Sequence, residues 1–363
     1  MNHGTEENSP RTNAEAAEPL RVETPGTAPP RRRQPHRLLR SRWLWAAAAG
    51  WAASNLWVVL ASPSRLPFDW PARAGQSSLE ILAEVNIALA QILLLMGVVY
   101  LLTRHRPDPN LAARAPERRQ ALRETLGLFS YGLLGMVGGY VLAQAFGWHP
   151  FGLHLAGTIF GTHDQLAPGE VLTWAGYNLV VYAVIPLLYF RRRYSATALG
   201  LKSTAPRNDL LVILVVLGLE TCFQIVYLQP ASLGLPLNQL LPGAALTFFL
   251  YMAGAVLPAM VFIYAILLPR ILRLTGSAVA TVLLGGLTYA GLHFWDAWAV
   301  FTSPESTVLS VIFLIFTYLG PGMLKSFLTL RTGNAWVHVW AYHAFAPHTL
   351  IDTPHIVEVF RLK

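Results

Sequence analysis

After residue 42 the chain alternates between long apolar runs and short polar stretches. Nine runs stand out, at 43–62, 84–103, 125–146, 171–190, 210–228, 244–268, 277–298, 307–324 and 334–351. Each is close to the length of about 17–25 residues that a helix needs to cross a bilayer. The second run is the weakest, because Glu80 and Glu84 flank its start. The runs are continuous, whereas the strands of a membrane barrel alternate apolar and polar positions, so a β-barrel is excluded. The pattern predicts an all-α fold, a polytopic transmembrane helix bundle of about nine spans. It divides the chain into a tail at 1–42, four N-terminal spans at 43–190, a five-span core at 191–352 and a short C-terminal tail at 353–363.

The loops support this reading through their charge. The stretch at 104–124 holds Arg104, Arg106, Arg114, Arg118, Arg119 and Arg123, and 191–209 holds Arg191, Arg192, Arg193, Lys202 and Arg207. Later loops on the same side hold Arg270 with Arg273, then Lys325 with Arg331. The intervening stretch at 147–170 has no Lys or Arg, 229–243 has no charge, and 63–83 has only Arg65 and Arg73. Cytoplasmic loops carry the excess of Lys and Arg. The expected topology therefore has the N-terminus inside and the C-terminus outside, in a membrane expected to be a bacterial inner membrane. The tail at 1–42 is polar and Pro-rich and ends in Arg31, Arg32, Arg33, Arg37, Arg40 and Arg42. It lacks the apolar content to fold alone and reads as a disordered cytoplasmic tail.

Composition narrows the class. The chain of 363 residues is 54% hydrophobic and 13% charged, against about 45–50% and about 25% in soluble domains. An ordinary soluble enzyme is excluded. The net charge of +8 sits in Arg clusters beside apolar runs, which points to the membrane surface and not to nucleic acid. Cys222 is the single cysteine, so no intrachain disulfide and no four-cysteine zinc site exists.

Polar groups inside a membrane are costly and mark candidate sites. Five of the 11 histidines follow residue 290: His293, His338, His343, His348 and His355. Their spacing of five in the last run puts successive rings about 140° apart on an α-helix, so they are not expected to share one site on a straight helix. Asp296 lies three residues after His293, either to orient its ring or to meet water at the membrane boundary. Glu220 is the only acid well inside a run, and Gln224 and Tyr227 fall on its face at i+4 and i+7. A buried carboxyl of this kind is a candidate general acid or base. The loop at 147–170 carries His149, His154, His163 and Asp164, read as scattered loop histidines, with a metal set as the other reading.

These features resemble the CAAX prenyl endopeptidase and bacteriocin-processing (CPBP) family of intramembrane proteases, over roughly residues 195–350. Ala198–Leu–Gly–Leu–Lys202 is similar to the family's lead-in, Leu257 to Arg270 to its first-motif helix, and Tyr289 to His293 to its Phe-x-x-x-His motif. Leu330 to Trp336 is similar to the turn entering the last helix, and His343 to the histidine of the final His-x-x-x-Asn/Asp motif. The glutamate pair of the first motif falls on Ala259 and Met260, its arginine on Tyr264, and the Asn/Asp on Pro347. The resemblance implies catalytic roles for His293 and His343, with Glu220 as the one deep carboxylate to replace the lost pair. Tyr289, His348, Asp296 and Gln224 would support them or touch substrate. It implies a hydrophobic or lipidated peptide tail as substrate within membrane lipid, a partner protein where the chain only regulates, and either a divalent metal such as zinc or none.

Three alternatives stand beside a CPBP-like endopeptidase with a degenerate site. One is a non-catalytic membrane scaffold. Another is a transporter or lipid-handling protein that uses Glu220 and the buried histidines. The third is a cysteine transpeptidase built on Cys222.

Overall fold

A computed structural model describes Met1 and residues 39–363 apart from 63–64, 69, 71–72, 74, 158–164 and 229. The chain divides into Met1–Gln34 and Pro35–Lys363, and every described residue except Met1 belongs to the second unit. The tail at 2–38 and the loop residues His163 and Asp164 lie outside the described residues.

The secondary structure of the described residues is helical, with turns and loops between and no strand. Seven helices are long and apolar enough to cross a membrane: α1 Arg42–Ala61, α2 Ser78–Thr103, α3 Arg118–Ala145, α4 Pro168–Arg191, α5 Pro206–Leu228, α6 Leu237–Thr275 and α8 Pro304–Thr332. Between the last two lies α7, Ala278–Gly291, apolar but only 14 residues long. The ninth predicted span is a broken segment, α9, running over 336–359. It passes through Trp336–His338, π turns at Val339–His343 and Phe345–Leu350, and Ile351–Val359. Pro347 and Pro354 lack the N–H that a regular α-helix would use there.

Helix ends follow local chemistry. Ser77 accepts from the Glu80 amide while the Glu80 carboxylate accepts from the Ser77 amide, a capping box that opens α2. This explains why an acid at the start of the second run does not disfavour a helix. Ser303 caps α8, which begins with Pro304 and ends at Gly333 in the left-handed conformation, φ 67°. The helix therefore continues past the predicted end at 324, and Lys325 belongs to the helix and not to a loop.

Helix α6 is the centre. It is 39 residues long, and every residue from 258 to 271 is buried. A helix apolar on all sides must be surrounded. Pro258 and Pro269 interrupt its hydrogen bonds, and π turns at Met252–Val256 and Met260–Leu267 accompany them. Its polar end is satisfied internally: Arg270 donates to Glu124 of α3 at 2.6 Å and to the Ile266 carbonyl at 2.5 Å.

Helices α7 and α8 cross at glycines. A Cβ on Gly322 would stand 2.8 Å from Gly286 Cα and 2.8 Å from Tyr289 Cβ. Small residues let membrane helices approach this closely, and here the approach sets the position of Tyr289.

The loop between α2 and α3 ties down the turn that leads into α9. Arg106 bonds the Asp209 carboxylate and donates to the Thr332 carbonyl at 2.5 Å. Arg114 donates to the Gly333 carbonyl at 2.7 Å, and Arg331 to the Thr103 carbonyl at 2.6 Å. Asn334 donates to Asp209 at 2.9 Å. Contacts thus cross the sequence division near residue 190 in both directions.

Replacing Gly322 with Leu forces α7 from α8 and is expected to cost about 2 kcal/mol or more by overpacking. The same change at Gly218, where a Cβ meets nothing within 4 Å, should leave stability unchanged. Thermal unfolding of the two variants in detergent compares them directly.

Candidate functional site

The elements around α6 bring a group of histidines and tyrosines together in the interior. His293, His338 and His343 are 0% exposed and His348 1%. The tyrosines Tyr251, Tyr264, Tyr289 and Tyr318 are equally enclosed.

The three histidines of α9 follow one another through space. Ring centroids lie 5.9 Å apart for His338 and His343, and 5.3 Å for His343 and His348. The expectation that they diverge is overturned. It assumed α-helical winding, whereas the backbone here makes π turns, whose i→i+5 hydrogen bonds place residues five apart on adjacent turns.

One loop completes the group. His154 stands with its ring 5.5 Å from that of His293 and 5.2 Å from that of His348. Its loop is tucked into the bundle because the Gly152 carbonyl accepts from Trp174 at 2.9 Å and from Asn178 at 2.8 Å. The Leu153 amide also donates to the Leu292 carbonyl at 3.2 Å. His154 is therefore not a scattered loop residue. Burial pulls its imidazole down to about 3, with His348 adding to the effect, Asp352 opposing it and Lys325 adding a little, so it is neutral at physiological pH. His149 lies apart, on the Glu170 carboxylate at 2.8 Å.

Tyr289 links the two histidines singled out from the family resemblance. His293 Nδ1 donates to the Tyr289 carbonyl at 2.7 Å, which leaves Nε2 as the acceptor nitrogen. Tyr289 Oη lies 3.1 Å from His343 Nε2. His348 Nδ1 donates to Asp352 Oδ2 at 3.2 Å across one turn, and the His348 ring stacks on Tyr251 at 4.3 Å. His293 Nε2, His343 Nδ1 and His348 Nε2 make no hydrogen bond among the described residues.

Asp296 is neither at a wet boundary nor on His293. It is 5% exposed, bonded by the Tyr318 hydroxyl and by Trp298 Nε1 at 3.1 Å. Tyr318 in turn stacks on His293 at 3.8 Å. The chain turns out of helix after Gly291, which takes Asp296 off the His293 face.

Glu220 occupies a different place. It accepts from Gln91 of α2 at 2.5 Å and from Gln224 at 2.8 Å, and among the described residues it bonds no histidine. Gln224 shares its face as predicted, whereas Tyr227 is 43% exposed, because α5 ends in a π turn over Gln224–Leu228. Cys222 is exposed.

The substituted motif positions are closed and apolar. Ala259 is 0% exposed and Met260 2%. Tyr264 packs its ring 4.3 Å from His338, and Pro347 is half-buried. Zinc would require three or more donors to converge. Among the described residues no group of His, Cys, Asp and Glu does so. The donor types suit a metal, but their spacing does not.

Sequence reasoning missed Asp352 and Tyr318, put Lys325 in a loop and read His154 among scattered loop histidines. The His348-x-x-x-Asp352 spacing was visible one step beyond the expected His343-x-x-x-Pro347. Lys325 is 1% exposed with Nζ 3.6 Å from the Tyr289 ring centroid. Its signal was the apolar run resuming after it. No family model matches the chain, and neither a curated protein nor a solved structure matches it.

Asp352→Ala leaves the buried His348 Nδ1–H without its acceptor and is expected to cost about 1–3 kcal/mol. Asp352→Asn keeps an acceptor oxygen and should cost less. Unfolding midpoints that fall equally in the two variants would show that the His348 bond is not what Asp352 contributes.

Proposed function

We propose that this chain is a CPBP-type intramembrane endopeptidase in which acid–base duty has passed from the missing glutamate pair to His348 and Asp352. The observation that carries the reading is the His348–Asp352 pair, 3.2 Å apart, set beside His343 and His154. A carboxylate on Nδ1 fixes the imidazole so that Nε2 presents a lone pair, the arrangement a general base needs. In this scheme His348 Nε2 takes the proton of a water that attacks a peptide carbonyl. Tyr289 and His343 stabilise the oxyanion, and His348 returns the proton to the leaving amine. The substrate is a hydrophobic or lipidated peptide tail that enters from the bilayer. The excess of arginine in the stretches at 104–117 and 192–205 supports an N-terminus in the cytoplasm, and we take the membrane to be a bacterial inner membrane.

A second reading has its own support. Ala259 and Met260 form an apolar wall where the resemblance expects two glutamates, which favours a non-catalytic scaffold that holds a peptide tail for a partner enzyme.

Terminal proteomics of a deletion strain separates the two. Wild type is expected to restore a missing cleavage, while His293→Ala/His343→Ala restores none. Asp352→Asn should cleave about 10²–10⁴-fold more slowly, the usual contribution of general acid–base assistance. Glu220→Gln should behave as wild type. If every variant restores the cleavage equally, the scaffold reading holds and the histidines are structural.

A further inference from the structure

Helix α3 presents to the bilayer a stripe that changes character along its length. Arg118, Leu122, Phe129, Leu133 and Met136 fall within about 60° of one another at 100° per residue. In its apolar part the stripe walls a lateral cavity of about 350 Å³, with Phe262 of α6 as its floor and Thr288 and Gly291 of α7 on the far side. At its polar end a second hollow on the same seam is bounded by Arg118, Arg119, Leu122 and Leu274. The cavity faces lipid, since Phe129 is 45% exposed and Leu133 62%. It is open at Gly291, where a Cβ would meet nothing within 4 Å.

Length and charge identify the occupant. From Leu122 to Gly132 the helix rises about 15 Å, at 1.5 Å per residue. That is half of the roughly 30 Å hydrocarbon thickness, or one leaflet. Neither hollow is lined by an acidic residue; Glu124 within the helix is held by Arg270, and the exposed Glu117 sits at the N-cap just before Arg118. Basic residues at the end of membrane helices collect anionic headgroups. We propose that the seam between α3, α6 and α7 binds one anionic phospholipid, with its phosphate on Arg118 and Arg119 and an acyl chain lying in the groove as far as Gly132 and Gly291. The chain end then abuts Leu292, which lines the same cavity and directly precedes His293.

The full chain, released from detergent for native mass spectrometry, tests this with phosphatidylglycerol and phosphatidylcholine of identical acyl chains. Wild type is expected to bind phosphatidylglycerol about 30-fold more tightly, the preference that two surface arginines supply. Arg118→Gln/Arg119→Gln should abolish that preference and keep residual binding of both lipids. Gly291→Leu, whose Cβ enters open space and whose branched end occupies the groove, should weaken both. No preference in wild type, or an unchanged preference in the arginine variant, overturns the proposal. So does unchanged phosphatidylglycerol affinity in Gly291→Leu, or full displacement by inorganic phosphate, which would mark a headgroup site without a chain. A farnesylated peptide that binds at the seam in place of phosphatidylglycerol would overturn it as well.

Discussion

A helix with no polar face cannot lie against one neighbour and leave its other side to water. The stretch of α6 from 258 to 271 buries every residue, so the other helices are arranged as its cover. In a bilayer, exchanging lipid for protein brings little hydrophobic gain, and close packing has to hold the helices together. The contacts around α6 have that character. A Cβ on Gly254 would stand 2.3 Å from the Trp174 ring, and one on Gly132 would stand 3.0 Å from Phe262. The same crowding leaves the polar groups at the centre to turn to one another for partners.

They do so in a particular way. Uncompensated burial of a polar group costs several kcal/mol at the upper end. Three of the histidines meet that demand through Tyr289, Asp352 and the Tyr289 carbonyl, with Tyr251 and Tyr318 stacked on two of the rings, whereas His338 makes no hydrogen bond among the described residues and lies against the Tyr264 ring. Each of His293, His343 and His348 spends one ring nitrogen on fixation and keeps the other. The π turns of α9 make this possible, because they bring residues five apart onto one side. The irregular backbone and the polar cluster are two aspects of one solution.

Much of the fold was legible because the apolar runs are long and the physics of spanning is strict. Seven of the nine predicted stretches are helices long enough to cross. The other two failed for local reasons: the chain leaves helix after Gly291, and prolines break the segment after Asn334. The resemblance drew attention to Tyr289, His293 and His343, and both histidines lie on Tyr289. The part played by His348 and Asp352 was not legible, because a periodicity of 3.6 was assumed where the backbone winds more loosely. Lys325 was counted with a loop because charge usually ends a span, and the packing that covers it comes from residues far away in sequence. Glu220 was correctly read as buried, but its orientation depends on Gln91, which nothing nearby in sequence announces.

The ties between the α2–α3 loop and the end of α8 carry a consequence for how this architecture could be inherited. The last carbonyls of a helix have no partner within it. Here those of Thr332 and Gly333 are answered by arginines more than two hundred residues earlier. The early helices are thus a structural cofactor of the late ones, supplying in trans, as far as sequence is concerned, the cap that starts the histidine-bearing segment. A gene fragment encoding only residues beyond 190 would carry the motifs without the clasp that seats them. Shuffling, fission or fusion is therefore expected to keep the early and late helices together.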